Sequence, residues 1–184
     1  MTSALLLVDI QNDYFPGGAM ELVGMTEASA KAEALLASFR AGKRPVFHVR
    51  HLSVEDDADF FIPGTPGAAT HERVAPTPGE PVIEKNFPNG FRETNLEGML
   101  KEAGVSELVI AGAMSHMCID ATTRAGCDLG FACTVVADAC ATADLEFDGR
   151  TVPARDVHAS FMCALGQAYA EITTADRLLA SSKS

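Results

Sequence analysis

ELVIAGAMSHMCIDATTRAGCDLG, residues 107–130, is the stretch around which the rest of the chain is read. Leu108-Val109-Ile110 is short, apolar and partly β-branched, as in a strand covered on both faces, so residues 107–111 are predicted to form a buried strand. A turn of small residues follows. From Cys118 onward Ile119, Thr122, Gly126 and Leu129 recur at helical spacing, while Asp120 and Arg124 fall on other faces and Gly130 supplies the C-terminal stop. This puts a thiol on the first turn of a helix at the carboxyl end of a strand. Unpaired N–H groups and the helix dipole favour an anion there, so the Cys118 thiol is expected to have a lowered pKa and to act as a nucleophile. The same N–H groups are placed to meet the oxyanion formed when a thiolate attacks a carbonyl. Position alone does not make a cysteine catalytic, because one beside an apolar strand is commonly an inert small hydrophobe. The assignment requires a base and a cation from elsewhere in the chain.

The 184 residues fit one domain with a core large enough to need neither disulfides nor metals. A formal charge of −11 argues against a nucleic-acid or anionic-membrane partner, which would want a basic face. Five cysteines, an odd number without a C-x-x-C pair, suggest neither a disulfide framework nor a thiolate zinc site, and a reducing cytoplasm is the expected location. Leu5-Leu6-Leu7-Val8 is too short to cross a bilayer and lacks a basic leader.

That apolar run is predicted to be the first strand, Ala4 to Val8, and it ends on Asp9. A carboxylate at the carboxyl end of a buried strand is where open α/β sheets place chemistry. The polar turn after it, residues 9–18, carries the aromatic pair Tyr14-Phe15. A helix is predicted over 26–41 with Thr26 as N-cap and Gly42 as stop. Residues 45–50 read as the second strand, with His48 in it and His51 just beyond. Two histidines this close invite a metal, but no carboxylate ligand stands beside them in sequence. Residues 52–81 have no periodicity and are rich in Pro, Gly and acidic side chains, as in a lid, a binding loop or disorder. Phe60-Phe61-Ile62 is too apolar for a purely solvated loop and is expected to cover a pocket, a neighbouring subunit or the chain's own core.

Val82–Lys85 is predicted to be a short strand delivering Lys85, with Asn86-Phe87-Pro88-Asn89-Gly90-Phe91 after it. A helix capped by Thr94 should run to about Ala103. Then come a strand over 132–137 with Asp138 at its end, and a hairpin over 145–152 turning at Asp148-Gly149. A helix over 154–169, a strand at Glu171–Thr173 and a helix at Ala175–Ser181 complete the chain. This alternation predicts an α/β fold of three αβα layers, a doubly wound, mostly parallel sheet with helices on both faces.

Three strand ends thus offer a carboxylate (Asp9), an ammonium (Lys85) and a thiol (Cys118). In their contexts, LLLVDIQNDY, EKNFPNGF and IAGAMSHMCIDATTRAG, the sequence resembles the isochorismatase-like superfamily of cysteine hydrolases. The resemblance spans nearly the whole chain. It implies a six-stranded Rossmann-like sheet, an Asp-Lys-Cys triad on Asp9, Lys85 and Cys118, and a homo-oligomer, dimer or larger. It also implies an oxyanion hole from the N–H groups of Met114 and Cys118, with a cis peptide at Ala113-Met114. The implied activity is hydrolysis of an amide-type C–N bond of a small molecule through a thioester. The alternatives are hydrolysis of a vinyl ether by Asp9, as in isochorismatases proper, or a redox-sensing or binding member of the fold. The pocket is expected to include Tyr14, Phe15, His51, Phe87, Phe91 and Met117. The nicotinamidase branch of the superfamily binds a metal through an Asp-x-His pattern. Here Val46 stands two positions before His48, so no metal or other cofactor is expected.

Overall fold

The computed structural model describes residues 2–181. Thr2–Val8 forms β1, Val46–His51 β2, Val82–Lys85 β3, Val105–Ala113 β4, Ala132–Ala141 β5 and Glu171–Thr173, the eighth strand in chain order, β8. These six form one sheet in the order β3-β2-β1-β4-β5-β8, with every neighbouring pair parallel. Leu145–Phe147 (β6) and Arg150–Val152 (β7) make the separate antiparallel hairpin expected from Asp148-Gly149.

Successive residues of β1 point to opposite faces, and both faces are dry. Leu5 and Leu7 join a core built with Met25–Ala41 (α1) and Ala175–Ser181 (the fifth helix, α5). Ala4, Leu6 and Val8 join a second core with Leu96–Glu102 (α2), Asp120–Asp128 (α3) and Ala154–Ala168 (α4) nearby. Burial on both sides is why the strands read as unbroken apolar runs rather than alternating ones.

Several boundaries differ from the expectation. Helix α1 starts at Met25 behind Gly24, whose φ of 76° ends the preceding turn, so Thr26 lies inside the helix and does not cap it. Asn95, not Thr94, is the N-cap of α2, although the Thr94 hydroxyl accepts from Leu96 N–H at 3.3 Å. Strand β5 continues past Ala137, which leaves Asp138 within it, accepting the Ala175 N–H at the start of α5 (2.7 Å). A π-helical turn at Ser115–Ile119 precedes α3, with Ile119 N–H donating to Met114 O at 3.2 Å. Cys118 therefore lies in that turn rather than on the first turn of α3.

Two backbone positions bring the ends of β1 and β4 together. Gly112 has φ 135°, and a Cβ there would lie 1.9 Å from Val8 O, so only glycine lets β4 pass this close to β1. Asp9, the next residue along β1, holds φ 52°, a left-handed conformation uncommon outside glycine and frequent at functional sites.

Residues 52–81 carry one short 3₁₀ turn, Glu72–Val74, yet the segment is fixed. Gln11 Nε2 donates to Ala68 O (2.9 Å), Asn12 N–H to Ala69 O (3.0 Å), and Phe61 N–H to the buried Asp13 carboxylate (2.7 Å). At its far end Glu80 ties the segment to α1 and β2. Hydrogen bonds from Arg40 hold its carboxyl down from 4.5 to about 2 against the cost of burial, with Thr77 N–H and His48 helping. A depressed folded-state value means this stabilisation is complete above the ordinary carboxylate range and is lost as pH falls towards 2. We expect about 1–2 kcal/mol of acid lability from this group, allowing for solvent screening at the partly exposed Arg40. Urea titrations at a series of pH values should show that Glu80→Gln flattens this limb of the stability curve; an unchanged acid limb would refute the assignment.

Candidate active site

Four neighbouring strands in the order β3-β2-β1-β4 end side by side, and each end carries a functional group. Lys85 closes β3, His51 closes β2, Asp9 follows β1, and Cys118 sits in the turn after β4. His51 and Lys85 are register partners. This is the crevice beyond the carboxyl ends of a parallel sheet where such folds hold ligands.

Lys85 organises the group. Its Nζ lies 2.7 Å from Asp9 Oδ2, 3.3 Å from Cys118 Sγ and 2.9 Å from His51 Nδ1. An ammonium has three donors and no acceptor, so His51 Nδ1 must accept and the ring proton sits on Nε2. The Lys85–Asp9 contact has ion-pair distance without hydrogen-bond alignment, and both Asp9 oxygens are buried with no aligned donor. Burial alone would lower the Lys85 pKa, but the Asp9 charge and the hydrogen-bonded Cys118 sulfur beside it win and raise it. The His51 pKa is lowered by burial and then by Lys85, in keeping with a neutral imidazole.

Cys118 departs from expectation. It is 5% exposed, and burial first, then the Asp9 charge, push its thiol well up; Lys85 pulls the other way and loses. The helix-dipole argument fails because it is local, whereas desolvation is set by everything packed around the sulfur. These influences favour the thiol form of Cys118 at rest.

Neighbouring elements hold these groups in place. Gln11 grips the His51 backbone on both sides, donating to His51 O (2.8 Å) and accepting from His51 N–H (2.8 Å). Ser115 pins the turn carrying Cys118 to β5 through Ala141 O (3.3 Å) and shares a 2.8 Å hydrogen bond with His158 Nδ1 of α4. The Ala113–Met114 peptide is cis.

Above the group opens a pocket of about 450 Å³. Tyr14, His51, Phe87, Met114, Met117 and Cys118 line it, as the sequence suggested. Phe15 does not: it stacks on His71 at 3.7 Å between centroids, under the 52–81 segment. Phe91 does not either, being packed 6.1 Å from Phe131 in the second core. The sequence reading missed Ser53, Glu55, Asp57, Asp59 and Asn86, all in the lining. Its one hint was Phe60-Phe61-Ile62. Phe60 does face the pocket, Phe61 is fully buried, and Ile62 stays exposed.

The two strand histidines part company. His48 turns away to Glu80, 3.0 Å from Nε2, while His51 joins Asp9 and Cys118 in offering ligand atoms within 4.8 Å of one another. A divalent cation among those three would have to displace the Lys85 ammonium, which already contacts all of them. The residues present do not fit a metal.

The isochorismatase domain profile matches residues 3–176. The chain belongs to the isochorismatase family. It is 50% identical over 179 residues to YddQ, an isochorismatase family protein of Bacillus subtilis, covering 97% of this chain and 99% of that one. A crystal structure described as an isochorismatase hydrolase from Oleispira antarctica superposes with a TM-score of 0.94 at 53% identity, covering 97% of this chain and 96% of the other. The maleamate amidohydrolase of Pseudomonas putida is 32% identical over 150 residues, 72% of this chain and 69% of that enzyme. The isochorismatase fold, a parallel six-stranded sheet between helical layers, is the one expected, and this family member is a hydrolase.

Proposed function

We propose that this hydrolase cleaves an amide-type C–N bond of a small molecule through a thioester on Cys118. The observation that carries the reading is the single ammonium, Lys85 Nζ, in contact with a buried carboxylate and a buried thiol at once. Family membership and the amidohydrolase among the relatives support it.

In the proposed cycle the Cys118 proton passes to Asp9 as Sγ attacks the carbonyl carbon, and Lys85 steadies the sulfur's charge while it exists. The N–H groups of Met114 and Cys118 receive the oxyanion. Asp9 returns its proton to the departing amine as the C–N bond breaks. It then takes a proton from water, whose oxygen attacks the thioester, and collapse of that adduct gives the acid and restores the thiol. The balance is amide plus water to acid plus amine. Turnover assays over small amides, carbamoyl compounds and isochorismate, with Cys118→Ala as the blank, test the reading. Isochorismate cleavage dependent on Asp9 but not on Cys118 would establish the vinyl-ether alternative instead.

Because Lys85 fills the centre of the Asp9–His51–Cys118 group, activity should survive chelation and dialysis undiminished. Stoichiometric bound zinc or iron, with activity lost on its removal, would contradict this.

We also infer self-association. On the hairpin Phe147 is 79% exposed and Val152, further from the turn, 36%, apolar surface that a second copy would cover. Light scattering at micromolar concentration should give at least a dimer; a strictly monomeric mass would remove the inference. The five free thiols accord with a reducing compartment, and no helix among the described residues is long and apolar enough to cross a membrane.

A further inference from the structure

The entrance of the pocket is acidic. Glu55, Asp57 and Asp59 line it, and none of the three is in an ion pair among the described residues. Charge at the floor does not answer them, since Lys85 is matched by Asp9 at 2.7 Å. Arg92, which lies over the Phe87 ring at 3.5 Å, stands outside the lining and has Glu93 at 3.6 Å. A substrate entering this pocket therefore passes a field of one sign.

A second observation is independent of these charges. Tyr14 lines the pocket and is 2% exposed, yet its hydroxyl makes no hydrogen bond to any described residue. Burial first, and the negative charge of the neighbouring carboxylates after it, hold that hydroxyl protonated. The side chain is buried while its oxygen is open to the pocket, so the unpaired hydroxyl is free to hydrogen-bond a ligand there. Phe60 lines the pocket beside Tyr14, with ring centroids 6.4 Å apart, and aromatic rings and a phenolic oxygen both attract a small cation.

Resting on the amide-hydrolase reading, we propose that the substrate is a small amide bearing a positive charge, an ammonium or guanidinium group. Glu55, Asp57 and Asp59 select for that charge at the entrance, and Tyr14 offers its oxygen within. The sequence supplies the reason for the arrangement: the acidic run sits in the segment pinned by Gln11 and Asp13, the turn that directly follows Asp9.

The test uses three amides of similar size, γ-aminobutyramide, valeramide and succinamate, which are cationic, neutral and anionic. Binding is measured to the Cys118→Ala protein, so no turnover is needed, and repeated on that protein carrying Glu55→Gln, Asp57→Asn and Asp59→Asn together. The expected result is binding of the cationic amide about tenfold or more tighter than the neutral one at low salt. The anionic amide should be weaker still, and both gaps should shrink in the triple variant and in high salt. Equal affinities, a preference for the anion, no binding of the cation at millimolar concentration, or a gap that the triple variant retains would each overturn the proposal. Turnover of amides by the unmodified enzyme is read separately. A protein that binds the cation selectively but cleaves no amide would refute the amide-hydrolase reading and leave the charge selection standing.

Discussion

Cys118→Ala is expected to lower amide turnover by about 10⁴-fold or more while leaving the fold and substrate binding in place, since removal of a nucleophile strips the covalent route entirely. The effect should be on kcat. Cys118 is buried but small, and its loss opens only a modest gap in the second core. Asp9→Asn should also be severe, about a hundredfold or more, because the same group is proton acceptor in the attack and donor to the leaving amine. Single-turnover experiments sharpen the comparison: the wild type should accumulate a mass adduct on Cys118 with a slowly deacylating substrate. A Cys118→Ala protein that turned over its amide at near wild-type rate would sink the mechanism.

Lys85→Met should be the most damaging substitution for stability. Lys85 and Asp9 are both buried, at 1% and 0% exposure, and removing one partner leaves the other's charge without compensation. Breaking such a pair costs about 3–5 kcal/mol, part of which is recovered if the stranded carboxyl takes up a proton. The double substitution Asp9→Asn with Lys85→Met should therefore be more stable than Lys85→Met alone, although inactive. Urea denaturation of the four proteins closes the cycle. Additive losses in that cycle would mean that the two side chains do not interact as described.

Strand ends were legible in the sequence because an apolar run that stops on a charged residue is a local pattern. Val8 gives way to Asp9, and Ile83 to Lys85 within two residues. The parallel sheet follows from the central runs, such as Ala4 to Val8, too uniformly apolar to have a wet face. The pocket wall was not legible. Its position depends on Asp13 accepting an N–H from Phe61, 48 residues away, and on Gln11 reaching Ala68, and no periodicity within 52–81 announces either contact. Nearness in sequence to Asp9 made Phe15 look like a lining residue. The turn at Asn12–Tyr14 instead sends Tyr14 into the pocket and Phe15 against His71. The raised pKa of the thiol was not legible for a related reason. A helix start is visible in a few residues, whereas the desolvation that outweighs it is a property of the assembled core.

The buried thiol also bears on damage. Peroxide oxidises thiolates, not thiols, and oxidation of an active cysteine to the sulfinic stage is generally permanent. Cys118, 5% exposed and pushed towards the thiol by burial and the Asp9 charge, offers such an oxidant little of the reactive form. In the proposed cycle its thiolate exists only while a substrate fills the pocket and keeps peroxide out. Cys163 of α4 is the exposed one of the five thiols and is outside the pocket lining, so it is the thiol most open to oxidation. On the proposed mechanism the nucleophile is thus spared between turnovers, the opposite of what a redox sensor requires.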